Sequence, residues 1–409
     1  LIVPSLQEAF GRVAVEGMAM ELPVIASKVG GLSEVIDDGN TGILVPPANP
    51  RALANAIKYL MNNPKLRLKM GMAGNRRAKK LFDFNIVFKN TEKIIYELMN
   101  DNFNRKESRS NKQQYISMIN NKINIAFLTH GDRNIGGGEL SWYSIISELN
   151  KDLFNPIVFF SKQNSIIENL KQDNIPVKKI DISERIYSLY RYHLQFNPIN
   201  ILQYIFFIAN ASWNLFQLLK FHRIEIIHVH DNLSKIIGIP AAKFARVKII
   251  THCRDQLGNV LIDKILLFCQ KYFMDRIFCD SNFIGNLFSN NGRIPDNVLV
   301  VSHGIILTDW IRSKLRKQNI TEINNPNPVI LGIIATFDNV KGHLYLFEAL
   351  KLLHNEGIRN FYCEVIGDGR EKRNLFEWVS NNGMGEYINF NGYISFPYIK
   401  KYFEELDIL

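Results

Sequence analysis

Short apolar runs that stop on a small or polar residue recur from one end of this chain to the other, and most precede a stretch with helical spacing. ELPVIAS, INIAFLTHGD, NPIVFF, IEIIHVHD, VKIITHCRD, DRIFCDS, VLVVSHG, PVILGII, FYCEVIGDG and INFNGYI are such runs. Runs this short and this apolar suit strands buried on both faces, with the intervening helices as cover. The pattern predicts an α/β chain of parallel sheets wound with helices. At 409 residues the chain is long enough for two such domains.

The boundaries follow from composition. Leu53, Ile57 and Leu60 recur at helical steps after Pro50, and a Lys/Arg-rich helix is expected over Pro64–Leu81. Residues 101–117, DNFNRKESRSNKQQYIS, are polar without apolar periodicity, so a linker is expected over residues 101–121. Beyond it, INIAFLTHGD, the glycine loop NIGGGE and a helix from Leu140 form the strand-loop-helix opening of a doubly wound domain, expected over residues 122–312. PVILGIIATFDNVKGH opens a second domain over residues 325–409. ELDIL at one end of the chain reads as the first half of a strand and IVPS at the other as its second half, so residues 1–100 are expected to complete the domain that residues 325–409 begin. A circular permutation and a slice through two adjacent similar copies both give this order. MINNKINIAFL, from Met118, reads as an ordinary chain start.

Charge and cysteine content exclude several function classes. The net charge of +10 fits a lysine-rich solvated surface, and the chain has no zinc-finger spacing, aromatic RNA-binding signature or leucine repeat, so nucleic acid is not an expected partner. Cys253, Cys269, Cys279 and Cys363 have no paired short spacing, which points to a reducing, cytoplasmic setting without a structural metal. No secretion signal is expected at the N-terminus. The longest greasy stretch, LQYIFFIANASWNLFQLLKF, holds Gln203, Asn210, Ser212, Asn214 and Gln217, and reads as a half-buried helix rather than a membrane span.

The chemistry concentrates in PSLQEAFGRVAVEGMAMELPVIASKVGGLSEVIDDGNTGILVPP, with Glu8 and Glu16 on either side of Phe10-Gly11, the Gly30-Gly31 loop, and a turn from Asp38 to Gly42. Along its whole length this segment resembles the donor-site signature of the family 4 retaining GT-B glycosyltransferases, the glycosyl transferases group 1. The resemblance extends over nearly all of the chain outside the linker. It implies two Rossmann-like domains facing a cleft, with the donor domain split between the two chain ends, and transfer of a hexose from a nucleotide-diphosphate sugar to a hydroxyl with retention. Polysaccharide or glycolipid synthesis at the cytoplasmic face of a membrane would follow.

The resemblance also implies residue roles. Glu16 would hold the ribose and Glu8 a sugar hydroxyl. Eight residues of helix would set them about 12 Å apart, a span that fits a nucleotide sugar. Phe10 and Gly11 would line the donor, and the unpaired amides of the helix that follows would face its anionic groups. Lys341 would oppose the charge that develops on the departing diphosphate. The family's usual arginine five residues earlier is Thr336 here, and Arg370 is a candidate substitute. Gly136 and Gly137 of NIGGGE would approach the donor. In THCRD, Arg254 occupies a slot where many relatives carry histidine; a guanidinium cannot act as a base, so a phosphate or acceptor contact is expected of it, among the catalytic set. His228 and His230 are expected to pack or to reach the acceptor loop, with His252 a strand-end neighbour. There is no Asp-x-Asp motif, in keeping with a metal-independent site and no cofactor beyond the sugar nucleotide. The aromatic and basic run YSLYRYHLQF, residues 187–196, offers peripheral membrane contact. Two rival readings stand beside this one: a noncatalytic fragment of two fused copies, and a GT-B-shaped nucleotide-sugar epimerase.

Overall fold

The computed structural model describes residues 1–104, 122–130, 137–183, 186, 198–254, 261–310, 328–394 and 398–407. The chain forms two compact units: residues 1–87, 281–283 and 302–409 make unit 1, and residues 88–280 and 284–301 make unit 2.

Unit 1 begins with strands β1 (Ile2–Val3), β2 (Val24–Ser27) and β3 (Gly42–Val45), which pair in parallel in the order β1-β2-β3. Between and after them lie helices α1 (Arg12–Ala19), α2 (Leu32–Val35), α3 (Pro50–Met61) and α4 (Pro64–Leu81). In α3, Asn49 accepts from the amide of Ala52 at 2.9 Å, Pro50 opens the first turn, and Leu53, Ile57 and Leu60 form the buried stripe that the spacing predicts. Helix α5 (Phe84–Asn104) then runs from unit 1 into unit 2.

Unit 2 continues through strands β4 (Ile123–Thr129), β5 (Phe154–Phe160), β6 (Val177–Lys179), β7 (Ile226–Val229), β8 (Lys248–Cys253), β9 (Arg276–Cys279) and β10 (Val298–Val300). They form one parallel sheet in the order β10-β9-β8-β7-β4-β5-β6. Its helices are α6 (Gly137–Ser147), α7 (Ser165–Gln172), α8 (Pro198–Phe221), α9 (Asn232–Ala245), α10 (Leu261–Phe273) and the short α11 (Asn282–Gly285) at its border. The direction of winding reverses between β4 and β7, the place where doubly wound sheets bind ligands at their carboxyl edge.

The chain completes unit 1 with β11 (Val329–Ile334), β12 (Phe361–Ile366) and β13 (Ile388–Gly392), parallel in that order, and α12 (His343–Asn355), α13 (Lys372–Asn381) and α14 (Ile399–Glu405). β1 lies beside β11. Two cores hold the distant segments together, one on each side of these strands. One contains Ile2, Ile25 and Ile57 with Leu331, Ile333, Phe347 and Val365. The other contains Val3, Met18 and Ala78 with Ile305, Trp310, Phe403 and Leu406. Asp407 adds a backbone bond to the carbonyl of Ile330 at 2.9 Å, and its carboxylate accepts from the Ile330 amide at 3.1 Å.

Three boundaries differ from the sequence expectation. Helix α5 takes in residues 101–104, which their polar composition assigns to the linker; extending an existing helix costs little once it is nucleated. Unit 1 ends at Val87 rather than residue 100, because the rest of α5 packs with unit 2, where Glu92 accepts from the amide of Asn150 at 2.8 Å. Residues 302–310 belong with unit 1 rather than with the 122–312 domain, since on either side of Asp83 the Ile305 amide donates to the carbonyl of Phe82 and the Ile305 carbonyl accepts from the amide of Phe84, at 2.9 Å each. Among the described residues no helix is long and apolar enough to cross a membrane.

Candidate active site

The loop between β1 and α1 carries Glu8, and its position is written in backbone contacts. The amide of Leu6 donates to the carbonyl of Val340 at 2.7 Å, and the amide of Gly31 to that of Glu8 at 3.0 Å. A Cβ on Gly30 would stand 1.9 Å from the Glu8 carbonyl, and one on Gly342 would stand 2.0 Å from that of Pro4. Both glycines have positive φ, +47° and +72°, so a side chain is unwelcome on two counts. The Oγ of Ser281 donates to the carbonyl of Ala9 at 2.6 Å, and Glu34 accepts from the amides of Asn282 and Phe283. Sequence reasoning singled out neither Ser281 nor Glu34. The signal for Ser281 was present in the polar CDSN that ends an apolar run.

Held this way, Glu8 meets Lys341. The Lys341 ammonium lies 2.8 Å from Oε2 of Glu8, and Ser5 Oγ donates to the same oxygen at 3.3 Å. Both charged side chains are mostly but not wholly covered, at 16% and 26% exposed. Lys341 ends a tight turn, Asn339–Lys341, in which Asp338 accepts from the Val340 amide at 3.3 Å. Arg370 pairs with Asp338 at 2.7 Å from an exposed position, next to the same turn but not on the Glu8–Lys341 pair. The carbonyl of Thr336 accepts from the Asp338 amide, so this residue shapes the turn through its backbone.

Glu16 lies elsewhere than the helical estimate puts it. Helix α1 starts at Arg12, with Gly11 at its N-cap, so Glu16 is one turn into the helix and only half of the eight-residue interval is helical. The rise of about 12 Å therefore does not apply. Glu16 bonds to Arg12 Nε at 2.7 Å. Burial pushes its carboxyl above the usual range, and the Arg12 guanidinium works in the opposite direction. Arg12 also approaches His303, Nη1 to Nε2 at 3.4 Å. Phe10 is buried, edge-on to Phe82 at 5.6 Å and stacked on His303 at 5.7 Å, so its ring anchors the loop to the core. Gly11 is required by its φ of +98° and by Leu32, whose Cδ2 would lie 2.5 Å from an added Cβ. These local reasons account for its missing side chain without a donor.

Unit 2 gathers a second polar cluster at the carboxyl ends of β4, β7 and β8. His228 and His252 meet through Nε2 and Nδ1 at 2.9 Å, and Phe127 packs edge-on against His228. His230, just past the end of β7, faces Trp142 at 5.6 Å. Burial, then Arg254 and Lys235, lowers the pKa of His228 to about 3, and the same forces hold His230 well below its ordinary value. Both rings are neutral at physiological pH. Arg254 donates to the carbonyl of Gly138 at 2.7 Å and to Ser141 Oγ at 2.9 Å, with Asp280 at 3.7 Å, and thereby ties the start of α6 to the end of β8. Gly137 is the first residue of α6; Gly136, Asp255 and the run 187–196 lie outside the described residues. Among the described residues no group of three or more His, Cys, Asp or Glu could hold a metal ion. A cavity of about 250 Å³ beside the Lys341 turn is lined by Asp338, Glu348 and Glu371, a poor match for a diphosphate.

Comparison with known proteins finds matches in both units. The glycosyl transferases group 1 profile matches residues 1–77 and 315–409, and the glycosyltransferase family 4 profile matches residues 135–309. The chain is 45% identical over 98 residues, 24% of its length and 28% of the relative's, to the uncharacterized glycosyltransferase MJ1178 of Methanocaldococcus jannaschii. It is 42% identical over 79 residues, 19% of its length and 17% of the relative's, to a D-inositol 3-phosphate glycosyltransferase of Streptomyces avermitilis. It is 32% identical over 93 residues, 23% and 24% of the two lengths, to the capsular polysaccharide biosynthesis glycosyltransferase CapM of Staphylococcus aureus. The matches thus span 17–28% of these relatives' own length. The crystal structure of Anabaena Alr3699/HepE with UDP and glucose superposes with a TM-score of 0.51 at 18% identity, over 67% of this chain and 70% of that one.

Proposed function

We propose that this chain, built of a glycosyl transferases group 1 domain and a family 4-like domain in a GT-B fold, transfers a hexose from a nucleotide-diphosphate sugar to a hydroxyl acceptor with retention of anomeric configuration. The observation that carries this reading is the Glu8–Lys341 pair, in which a carboxylate of the β1–α1 loop and a cation of the turn before α12, far apart in sequence, meet in unit 1. In the proposed reaction Lys341 leaves Glu8 for the departing diphosphate, where a fixed cation lowers the barrier without a metal. Glu8, released, accepts from a sugar hydroxyl, and Glu16 holds the ribose. The bond between the anomeric carbon and the phosphate oxygen breaks toward phosphate, and the acceptor hydroxyl attacks from the same face and gives up its proton to that leaving oxygen.

The donor is proposed to be a UDP-sugar, on the strength of the UDP and UDP-glucose complexes of HepE. CapM's name supports an acceptor in capsular polysaccharide synthesis, and we propose that the chain acts on the cytoplasmic side of the membrane. The acceptor is assigned to the carboxyl edge of the sheet in unit 2, near Arg254. Thermal shift across a panel of sugar nucleotides tests the donor step. Stabilisation by one nucleotide class, lost in Glu16→Ala, is the expected result; no shift with any donor would favour a noncatalytic chain. Product analysis then separates transfer from epimerisation, since an epimerised nucleotide sugar without acceptor would replace this reading.

A further inference from the structure

Three consecutive crossover helices of unit 2 finish alike. Helix α8 ends in Lys220-Phe221, α9 in Lys243-Phe244-Ala245, and α10 in Lys271-Tyr272-Phe273. Phe221 and Phe244 are each 81% exposed and Tyr272 58%, among the most exposed large apolar side chains described. The first two helices close through the same turn. Ile224 donates to the carbonyl of Leu219 and Val247 to that of Ala242, both at 2.9 Å, and the left-handed residues inside those turns are Arg223 (φ 49°) and Arg246 (φ 58°). That position normally goes to glycine, because any side chain costs energy there. Lys-Phe-x-Arg is thus placed twice at a conformational cost.

The three helices feed β7, β8 and β9, which are neighbours in a parallel sheet, so their last residues lie along one edge of it. From that edge an apolar stripe runs the length of α8 through Trp213, Phe206 and Leu202, at steps of eight, seven and four residues, which keep to one side of a helix. On α10, Ile265, Phe268 and Tyr272 make a parallel exposed stripe. Lys220 is the one charged residue of α8, and the one acidic residue of α10, Asp263, is buried. The acidic groups at the edge are committed locally: Glu225 accepts from the amide of Asn124, and Asp275 from Lys248 and the Ile249 amide.

We propose that this face of unit 2 seats on a bilayer whose surface carries anionic lipid. Helix α8 lies in the plane of the interface, with the aromatic side chains at headgroup level and the Lys-Phe-x-Arg turns against the headgroup phosphates. Amphipathic helices bind bilayers by this combination of an apolar stripe and flanking cations. A second copy of the chain is a poor occupant, because pairing this face with itself sets like charges together.

Sedimentation of the full chain with vesicles tests it. Vesicles of phosphatidylcholine with phosphatidylglycerol should carry the protein down, with a blue shift of Trp213 emission that Trp213→Phe removes, and vesicles of phosphatidylcholine alone should carry far less. Arg223→Gln with Arg246→Gln should weaken binding to the anionic vesicles about thirtyfold, at about 1 kcal/mol for each cation. Phe221→Ser with Phe244→Ser should weaken it further. All these side chains are exposed, and an unchanged donor thermal shift in the variants shows that the fold is intact. The inference is overturned if the protein stays in solution with the anionic vesicles at low salt, or if both double variants pellet like the parent. A stable dimer that the Phe221/Phe244 variant abolishes, in protein that ignores vesicles, would assign the face to a second copy.

Discussion

Unit 2 draws all of its sheet from one run of chain, whereas unit 1 assembles two three-stranded pieces from segments separated by more than two hundred residues. In both, polar groups lie at or just beyond strand ends. Their origin differs. The His228–His252 contact of unit 2 joins adjacent strands of a continuous sheet, but the Glu8–Lys341 pair of unit 1 exists only while the two pieces share their cores. Continuity of chain is therefore not what makes a site in this molecule; continuity of packing is. The proposed donor chemistry in unit 1 should accordingly be more sensitive to remote core damage than the cluster in unit 2.

Phe403→Ala offers the largest test. The ring is fully buried against Trp310 in the core that also holds Val3 and Phe10. Its loss should cost about 3–5 kcal/mol. Hydrogen exchange should show that loss across β1–β3 as well as β11–β13 while β4–β10 keep their protection, and equal loss in both units would break the contrast. Next in size is Lys341→Ala, expected to cut turnover about 100- to 1000-fold in a sugar-transfer assay if the cation acts on the leaving group. Activity within a few-fold of the parent would remove Lys341 from that role.

Acid should sharpen the contrast in a graded way. His228 and His230 in unit 2, and His343 in unit 1 at about 4, all have pKa values lowered chiefly by burial. A buried histidine with a lowered pKa binds fewer protons than the unfolded chain. The stability it allows is complete above the unfolded value near 6.5 and is lost as pH falls toward the folded value. Each should cost about 1 kcal/mol between about pH 6.5 and about pH 5.5. Unit 2, where His222 is lowered as well, should then lose more than unit 1 in pulse proteolysis with peptide mapping, and equal slopes would contradict the assignment. The smallest effect is expected from Arg370→Ala. Its exposed pair with Asp338 touches the Lys341 turn only at second hand, so turnover should fall about two- to fivefold. A loss matching that of Lys341→Ala would promote Arg370 to a direct phosphate contact.

Much of the architecture was legible because apolar runs and helical spacing report burial directly. INIAFLT, KIITHC and VILGII are strands, and the Lys/Arg-rich helix spans Pro64–Leu81. β6 was not legible, since Val177–Lys179 is an edge strand with two lysines and no apolar run. The half-buried helix is α8, whose buried residues Ala211, Ser212, Leu215 and Leu219 fall in its second half. Within the candidate site, residue types could be read but partnerships could not. Glu8 and Lys341 are neighbours through tertiary packing, and Phe10 and Gly11 have packing reasons that a motif cannot express. Arg254 is engaged by Gly138, Ser141 and Asp280, contacts that depend on where α6 begins.

The backbone cradle of the Glu8 loop has a consequence for how this protein tolerates change. Gln7 is exposed, and Leu6 contributes its amide to the loop whatever its side chain. Substitutions there leave the carbonyls and amides that locate Glu8 untouched. Gly30 and Gly342 have no such latitude, because each gives its space to a carbonyl of the loop. Mutational drift can therefore rewrite Leu6 and Gln7 while two residues outside the loop, with no side chain at all, help to hold its geometry constant.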